Sequence, residues 1–269
     1  MEDVFKRKAR ATYNAAADHF DEAPLAFWTW AGERTVARLA LPLGGNVLDV
    51  CAGTGASAIP AARAVGETGH VIAIDLAESL LALGRAKATR AGLSNLEFRV
   101  GDMTQIELDE ASFDAVIIVF GIFFVADMET QVRALLRLVR PGGVLAVTTW
   151  GPRFFEPLYA GWRESLRTHR PDLVSDFNPW DRITTAEAVR ALLQVDGATD
   201  VEVSVEESLQ PLEHAEDWWT IVLGSGLRWS VDQMTAETAR AVRNENIARA
   251  RGVAAIETNA IYGVTRRAR

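Results

Sequence analysis

Apolar and polar positions along the chain change rhythm twice. Over residues 2–41 apolar side chains recur at helical spacing, as at Val36, Leu39 and Ala40, and only Pro24 interrupts. This opening reads as helices, brought to an end by Pro42, Gly44 and Gly45. From Asn46 onward, short continuous apolar runs alternate with longer helical stretches. Residues 46–50, 70–74, 96–100 and 113–119 read as strands, the last rich in β-branched side chains suited to burial on both faces. A Gly-rich turn and a helix over about 57–65 follow the first strand. A helix over 77–91, with Gly92 just past its end, follows the second. A helix over 128–139, stopped by Pro141-Gly-Gly, precedes a fifth strand at 144–149. Strands and helices taken in turn predict right-handed βαβ units, hence an α/β, doubly wound parallel sheet.

Beyond Trp150 the rhythm changes again. Residues 151–183 are rich in proline and in aromatic side chains such as Phe154, Phe155, Trp162, Phe177 and Trp180. A helix is predicted over 185–194, and strict alternation over 200–206 predicts a strand with one wet face. Two more helices, over about 215–223 and 236–251, and a closing strand over 257–264 complete the pattern. The basic ends, Lys6-Arg-Lys-Ala-Arg and Arg266-Arg-Ala-Arg, read as solvated charge.

Composition narrows the classes. The chain has 269 residues, 49% hydrophobic and 24% charged, as in an ordinary globular protein. At this size folding buries roughly three quarters of the unfolded surface, so neither disulfides nor a metal is needed to hold it. One large domain, or one domain with an inserted cap, is the expected count. The net charge of -8 argues against a surface that tracks nucleic-acid phosphates. A single cysteine, Cys51, excludes a disulfide framework and a thiolate-rich metal site, and no His/Asp/Glu spacing suggests another metal. No apolar run approaches the ~20 residues that span a bilayer. The first residues lack the apolar stretch of a signal peptide, so a cytoplasmic setting is expected. The eight tryptophans are unevenly spread, with none between Trp30 and Trp150.

The strongest constellation is Val47-Leu-Asp-Val-Cys-Ala-Gly-Thr-Gly-Ala-Ser, a strand running into Gly53 and Gly55 with a helix starting at once. Glycines there permit a tight turn and let backbone approach a nucleotide-like ligand. About 20 residues on, at the end of the second strand, Asp75 can accept hydrogen bonds from both hydroxyls of a ribose. The plainer reading is that the glycines only turn the chain and Asp75 only caps the helix that follows. Gly53-Thr-Gly-Ala-Ser-Ala satisfies the dinucleotide pattern, which keeps a nicotinamide cofactor in play. Three features tilt away from it. Asp49 lies inside the first strand, where a dinucleotide site has no evident need of an acid. Gly101-Asp102-Met103 places a second acid after the third strand, suited to an adenine amino group. No Tyr/Lys pair stands one helical turn apart for hydride transfer.

At these residues the sequence resembles the class I S-adenosylmethionine-dependent methyltransferases. Asp49-Val-Cys-Ala-Gly-Thr-Gly is similar to the family's first motif, Asp75 to its ribose acid, and Gly101-Asp102 to its adenine motif. Residues 113–127 are similar to its fourth-strand motif, and Leu136-Arg-Leu-Val-Arg-Pro-Gly-Gly-Val-Leu to the helix and turn before its fifth strand. Phe120-Gly121 and the Gly-Thr-Gly turn resemble the ubiquinone/menaquinone-biosynthesis branch and its small-molecule relatives. The resemblance covers residues 46–150. It implies a seven-stranded Rossmann-like methyltransferase sheet with an α-helical cap, binding S-adenosyl-L-methionine. Asp49 is then expected to organise the turn and the methionyl amine. Ala52, Gly53, Thr54 and Gly55 line the methionyl and ribose moieties, and Asp75 and Leu76 the ribose and adenine. Gly101, Asp102 and Met103 meet the adenine edge, Phe120 and Gly121 lie near the methionyl amine, and Tyr13 of the opening helices is similar to a lid residue touching the cofactor. Two departures stand out. Cys51 occupies a small-residue position and reads as buried and inert, and Phe123-Phe124 stand where many relatives carry polar or histidine residues.

Ligands of an open α/β sheet bind beyond the carboxyl ends of its strands. Phe123, Phe124 and Trp150 are therefore expected to border the acceptor, with Phe155 of the following aromatic segment in the pocket and other aromatics of the lid, Trp28 among them, and of the later chain folding over its mouth. Any single tryptophan is as well explained by packing of cap helices. As a group they suit a hydrophobic or planar small molecule. No catalytic residue is assigned. His70 reads as structural, and among His19, His169 and His214 the lid residue His19 is the preferred pocket candidate. The expectation is one domain over 1–269, with a helical lid at 1–45, a cofactor core at 46–150, and cap helices with sheet-completing strands at 151–269. It would act as monomer or homodimer, moving a methyl group to oxygen or carbon of a quinone, lipid or secondary metabolite, with no nucleic acid, metal or membrane span involved. The alternatives are a cofactor-binding protein or lyase-like enzyme on the same fold without methyl transfer and, more remotely, an NAD-dependent oxidoreductase.

Overall fold

The structure is a computed structural model that describes residues 4–175 and 177–269; residues 2 and 3 of the expected helical opening lie outside them. Nine strands are found among the described residues: β1 Asn46–Val50, β2 His70–Asp75, β3 Leu96–Val100, β4 Phe113–Val119, β5 Val139–Trp150, β6 Ala198–Glu206, β7 Leu209–Pro211, β8 Ala255–Glu257 and β9 Ala260–Arg267. The helices are α1 Val4–Ala16, α2 Phe27–Ala37, α3 Ala58–Val65, α4 Glu78–Arg90, α5 Met128–Leu138, α6 Leu158–His169, α7 Ala186–Leu193, α8 Glu216–Leu223, α9 Arg228–Asp232 and α10 Ala236–Ala250.

Seven strands form one sheet in the order β3-β2-β1-β4-β5-β9-β6. The first five run parallel, and β9 runs antiparallel to both of its neighbours. The central strands are buried on both faces, as their continuous apolar runs require. Val47, Val71, Ala73, Ala115, Ile117 and Ala146 face a layer built from α2, α3 and α4. Their strand neighbours Leu48, Val50, Ile72, Val116, Ile118 and Val147 face α5, α7 and the later chain. This parity also places Asp49: it lies on the same face as Val47, beneath the start of α3. Right-handed crossovers put the carboxyl ends of all five parallel strands at one edge, and the chain segments before β1 and after β5 close over that edge.

The later chain departs from the sequence reading in several places. Helix α6 was not predicted; Leu158, Trp162 and Leu166 form its buried stripe, but the prolines and aromatics around it mask the four-residue spacing. Helix α9 and the small β7·β8 pair are also additional. The closing strand begins at Ala260 rather than 257, because the side chain of Asn259 accepts the Ser208 N–H and separates β8 from β9. Strand β5 begins at Val139 and absorbs Pro141-Gly-Gly as an irregularity, its pairing passing from Phe113↔Val139 to Ala115↔Val144. The basic tail is not merely solvated. Arg266 donates to the Gly142 carbonyl and Arg267 to those of Arg137 and Val139, tying β9 to the α5–β5 junction. Helix α10 packs on α6 and α8, with Trp162 and Trp218 fully enclosed. Among the described residues no helix is long and apolar enough to cross a membrane.

Candidate functional site

Strand β1 leaves the sheet through a turn in which Cys51, Gly53 and Gly55 all take positive φ, at 58°, 54° and 86°. Glycine tolerates this conformation at no steric cost, whereas at Cys51 it is unusual for a side-chain-bearing residue. The turn runs directly into α3. Its outer surface forms the floor of a cavity of about 1010 Å³, open mouth included.

Asp75, at the tip of β2, lines this cavity. One carboxylate oxygen accepts the Gly53 N–H at 2.9 Å and the other the Ala77 N–H at 2.8 Å. Burial pushes the Asp75 carboxyl up, and these two backbone donors act against that. Each oxygen retains a lone pair, so two ribose hydroxyls remain within the capacity of the group. Leu76, Ala77 and Leu80 continue the wall. After β3, Gly101, Asp102 and Met103 close the far end. Lys6 of α1 reaches across to Asp102 at 2.7 Å, and the Thr104 N–H and hydroxyl bond the other carboxylate oxygen. Burial alone would raise the Asp102 carboxyl, but the bonds from Lys6 and Thr104 outweigh it and hold the group below its ordinary value. Ala52 and Thr54 line the turn side; Thr54 donates to Asp21 at 2.8 Å, and Lys87 bonds both.

Tyr13 of α1, Phe120 at the end of β4, and Phe124 complete the wall. Burial raises the Tyr13 hydroxyl and the nearby Asp75 charge adds to this, so the residue is a neutral phenol. Phe120 has a positive φ of 52° and stacks on Trp150 at 3.9 Å. A second, narrower hollow of about 310 Å³, open mouth included, meets the first where Tyr13, Trp28 and Phe120 line both. Its remaining wall is Phe123, Trp150, Phe154 and Trp180, with residues 225–227 at one side.

Five expected site residues are placed otherwise. Asp49 does not reach the cavity: it is fully buried under α3, accepting the Ser57 hydroxyl at 2.7 Å. Gly121 is a spacer behind the turn, since a Cβ there would lie 2.6 Å from that of Cys51. Gly55 shapes the turn without lining the cavity. His19 lines neither cavity; its ring pairs with Glu22 at 2.6 Å in the turn after α1. Phe155 is likewise outside the acceptor side, fully buried and stacked beneath Phe154 at 3.8 Å. The site also holds residues the sequence reading left out. Lys6 and Arg10, read there as solvated, line the cavity together with Ala9 and Tyr13, and the 6, 9, 10, 13 spacing of one helical face is the signal that finds them. Ser57 is a further addition, while Trp28, Phe154 and Trp180, expected only among the aromatics over the mouth, are found lining the cavities.

A sheet of this order with one antiparallel strand near its edge, a glycine turn after β1, and acids after β2 and β3 define the class I S-adenosylmethionine-dependent methyltransferase fold. The solved structures agree on the fold. The YcgJ protein of Bacillus subtilis superposes with a TM-score of 0.59 at 15% identity, covering 89% of this chain and 99% of that one. A phosphoethanolamine N-methyltransferase 2 of Haemonchus contortus, in complex with S-adenosyl-L-methionine, gives 0.59 at 14%, covering 100% of this chain and 61% of that one. The sequence profile of the ubiE/COQ5 methyltransferase family matches residues 25–161, and the chain belongs to that family. It is 36% identical over 140 residues to a demethylmenaquinone methyltransferase of Listeria monocytogenes, a match covering 52% of this chain and 57% of that enzyme. The chain thus spans little more than half the length of this curated relative.

Proposed function

We propose that this chain is a methyltransferase that uses S-adenosylmethionine to methylate oxygen or a ring carbon of a hydrophobic, quinone-type small molecule. The observation that carries the reading is the meeting of two unlike cavities at Tyr13, Trp28 and Phe120: one floored by the glycine turn and ended by Asp75 and Asp102, the other walled by aromatic rings. Family membership and the demethylmenaquinone methyltransferase name of its relatives support the same reading.

The residues fit the cofactor. Asp75 would hold the ribose, Asp102 and Met103 the adenine edge, and the backbone of 52–54 the methionyl part. The aromatic residues Tyr13, Trp28 and Phe120 line the place where a positively charged sulfur would sit. When bound, S-adenosylmethionine supplies a methyl group on a sulfonium, which leaves with the S–C bonding pair as a neutral thioether while an electron pair of the acceptor forms the new bond and the acceptor's proton passes to solvent. The chain's own task is alignment and exclusion of water. Enclosing acceptor and methyl donor in adjoining cavities turns an encounter into a positioned reaction, the largest contribution open to a site without an assigned base. Residues 46–150 act as the cofactor core, 1–45 as a helical lid, and 151–269 as cap helices and sheet-completing strands. The single cysteine and the acidic balance fit a cytoplasmic protein acting on small molecules as monomer or homodimer. Calorimetry with S-adenosylmethionine and with NAD tests the cofactor assignment: saturable heat with the first alone is expected, and binding of NAD alone overturns it.

A further inference from the structure

We infer that the indole N–H of Trp28 is the hydrogen-bond donor that takes an oxygen of the methyl acceptor where the two cavities meet; this rests on the acceptor reading given above. Trp28 opens α2 and lines both cavities. Its ring is held from several sides. It stacks on Phe20 at 5.1 Å and 1°, meets Phe120 edge-on at 5.5 Å, and packs at an angle on Phe27 and Trp150. With the ring plane held in this way, the direction of the N–H is fixed by packing rather than by a hydrogen bond. Indeed Nε1 is out of contact with solvent and has no hydrogen-bond partner among the described residues.

An enclosed indole N–H ordinarily finds an acceptor, because leaving one unpaired forfeits its hydration for nothing. The same chain shows the ordinary case. Trp218, enclosed in the cap, donates its Nε1–H to Asn246 at 3.0 Å, and Asn246 is held in turn by Ser165. The cap therefore satisfies its buried indole, while the enclosed indole N–H of Trp28 at the wall of the two cavities is left unpaired. None of the surrounding groups lies within hydrogen-bond distance of it. Phe123, Phe154 and Leu227 are apolar, and the Ser225 hydroxyl is engaged with the Val222 carbonyl and the Leu227 N–H.

These features select a ligand class. Aromatic walls favour a flat ring, and a hydroxyl or oxyanion on that ring would supply the acceptor atom that Trp28 lacks. A phenolic oxygen held this way gains a further advantage. Donation to the ionised form favours it, and the ionised phenol is the better nucleophile at oxygen or at the adjacent ring carbon. Trp28 would then both orient the acceptor and ease loss of its proton to solvent, on a wall that carries no histidine or carboxylate among its lining residues.

The test compares two probes in the presence of S-adenosylhomocysteine under anaerobic conditions: 2-prenyl-1,4-naphthoquinol and 2-prenylnaphthalene, which lacks both oxygens. The intact chain should bind the quinol about tenfold or more tightly than the hydrocarbon. Trp28→Phe keeps a ring but removes the N–H. It should collapse that preference about tenfold while leaving the hydrocarbon within about threefold of its original affinity. Unchanged preference in Trp28→Phe, or equal weakening of both probes, overturns the donor role and leaves the acceptor reading standing. Failure of the unmodified chain to bind either probe while it binds S-adenosylhomocysteine overturns the acceptor reading, and the donor role with it.

Discussion

The Asp75 carboxylate accepts the Gly53 backbone N–H at 2.9 Å, so the acid at the tip of β2 fastens the glycine turn that follows β1. Its other oxygen accepts the Ala77 N–H at the head of α4. The two readings open to the sequence, a helix cap and a ligand acid, are therefore one arrangement: the cap holds the carboxylate still at the cavity wall. Asp75→Asn presents a donor where two backbone donors converge. It should lower stability by about 1–3 kcal/mol and weaken S-adenosylmethionine binding roughly 10–100-fold. Urea unfolding and calorimetry on the same preparation check both numbers, and an unchanged affinity would contradict the ribose assignment.

Asp49 gives a pH dependence. Burial pushes its carboxyl up to about 7; the hydrogen bond from Ser57 acts against this, and the Asp75 charge adds to it. In the unfolded chain the group titrates near about 3.9. Between those values the folded state binds the extra proton, so this group's stabilising contribution is full below about pH 4 and is lost as pH rises through about 7. Relative to Asp49→Asn, the unmodified chain should lose about 2–3 kcal/mol of stability between pH 5 and pH 8. Parallel denaturant titrations of the two proteins at both pH values measure the difference, and a flat difference would mean that Asp49 is ionised in the fold.

Arg182 clamps the wall of the second cavity. Its guanidinium donates to the carbonyls of Phe123, Val125 and Ala126 on one side and Pro179 on the other, at 2.8–3.2 Å. It thus ties the segment carrying Phe123 and Phe124 to the one carrying Trp180. Arg182→Ala should raise the KM for a quinol acceptor about tenfold, leave the Kd for S-adenosylmethionine within about twofold, and speed hydrogen exchange over 122–126 and 179–183. Faster exchange without a change in KM would show that the clamp serves the fold alone.

Much of this was legible in the chain. The strands up to β5 followed from uninterrupted apolar runs, and the turn and its two acids from local spacing, because burial on both faces and a glycine turn each leave their mark in a few consecutive residues. Asp49 lies off the cavity because residues two apart on a strand share a face, and Val47 points into the layer that holds α3. Lys6 and Arg10 sit in a run of charge whose composition hides the helical face they share with Tyr13. The Arg182 clamp and the Trp28 junction had no local signature. Both join segments more than 50 residues apart, and such contacts arise only when the sheet brings its carboxyl edge under the cap.

The central claim is transfer of a methyl group, and the direct measurement is passage of label from methyl-labelled S-adenosylmethionine to reduced 2-prenyl-1,4-naphthoquinol. The account predicts label in the recovered quinol, formation of S-adenosylhomocysteine in step with it, and no transfer when the acceptor is omitted. Saturable binding of both molecules with all label retained on the methyl donor would contradict it.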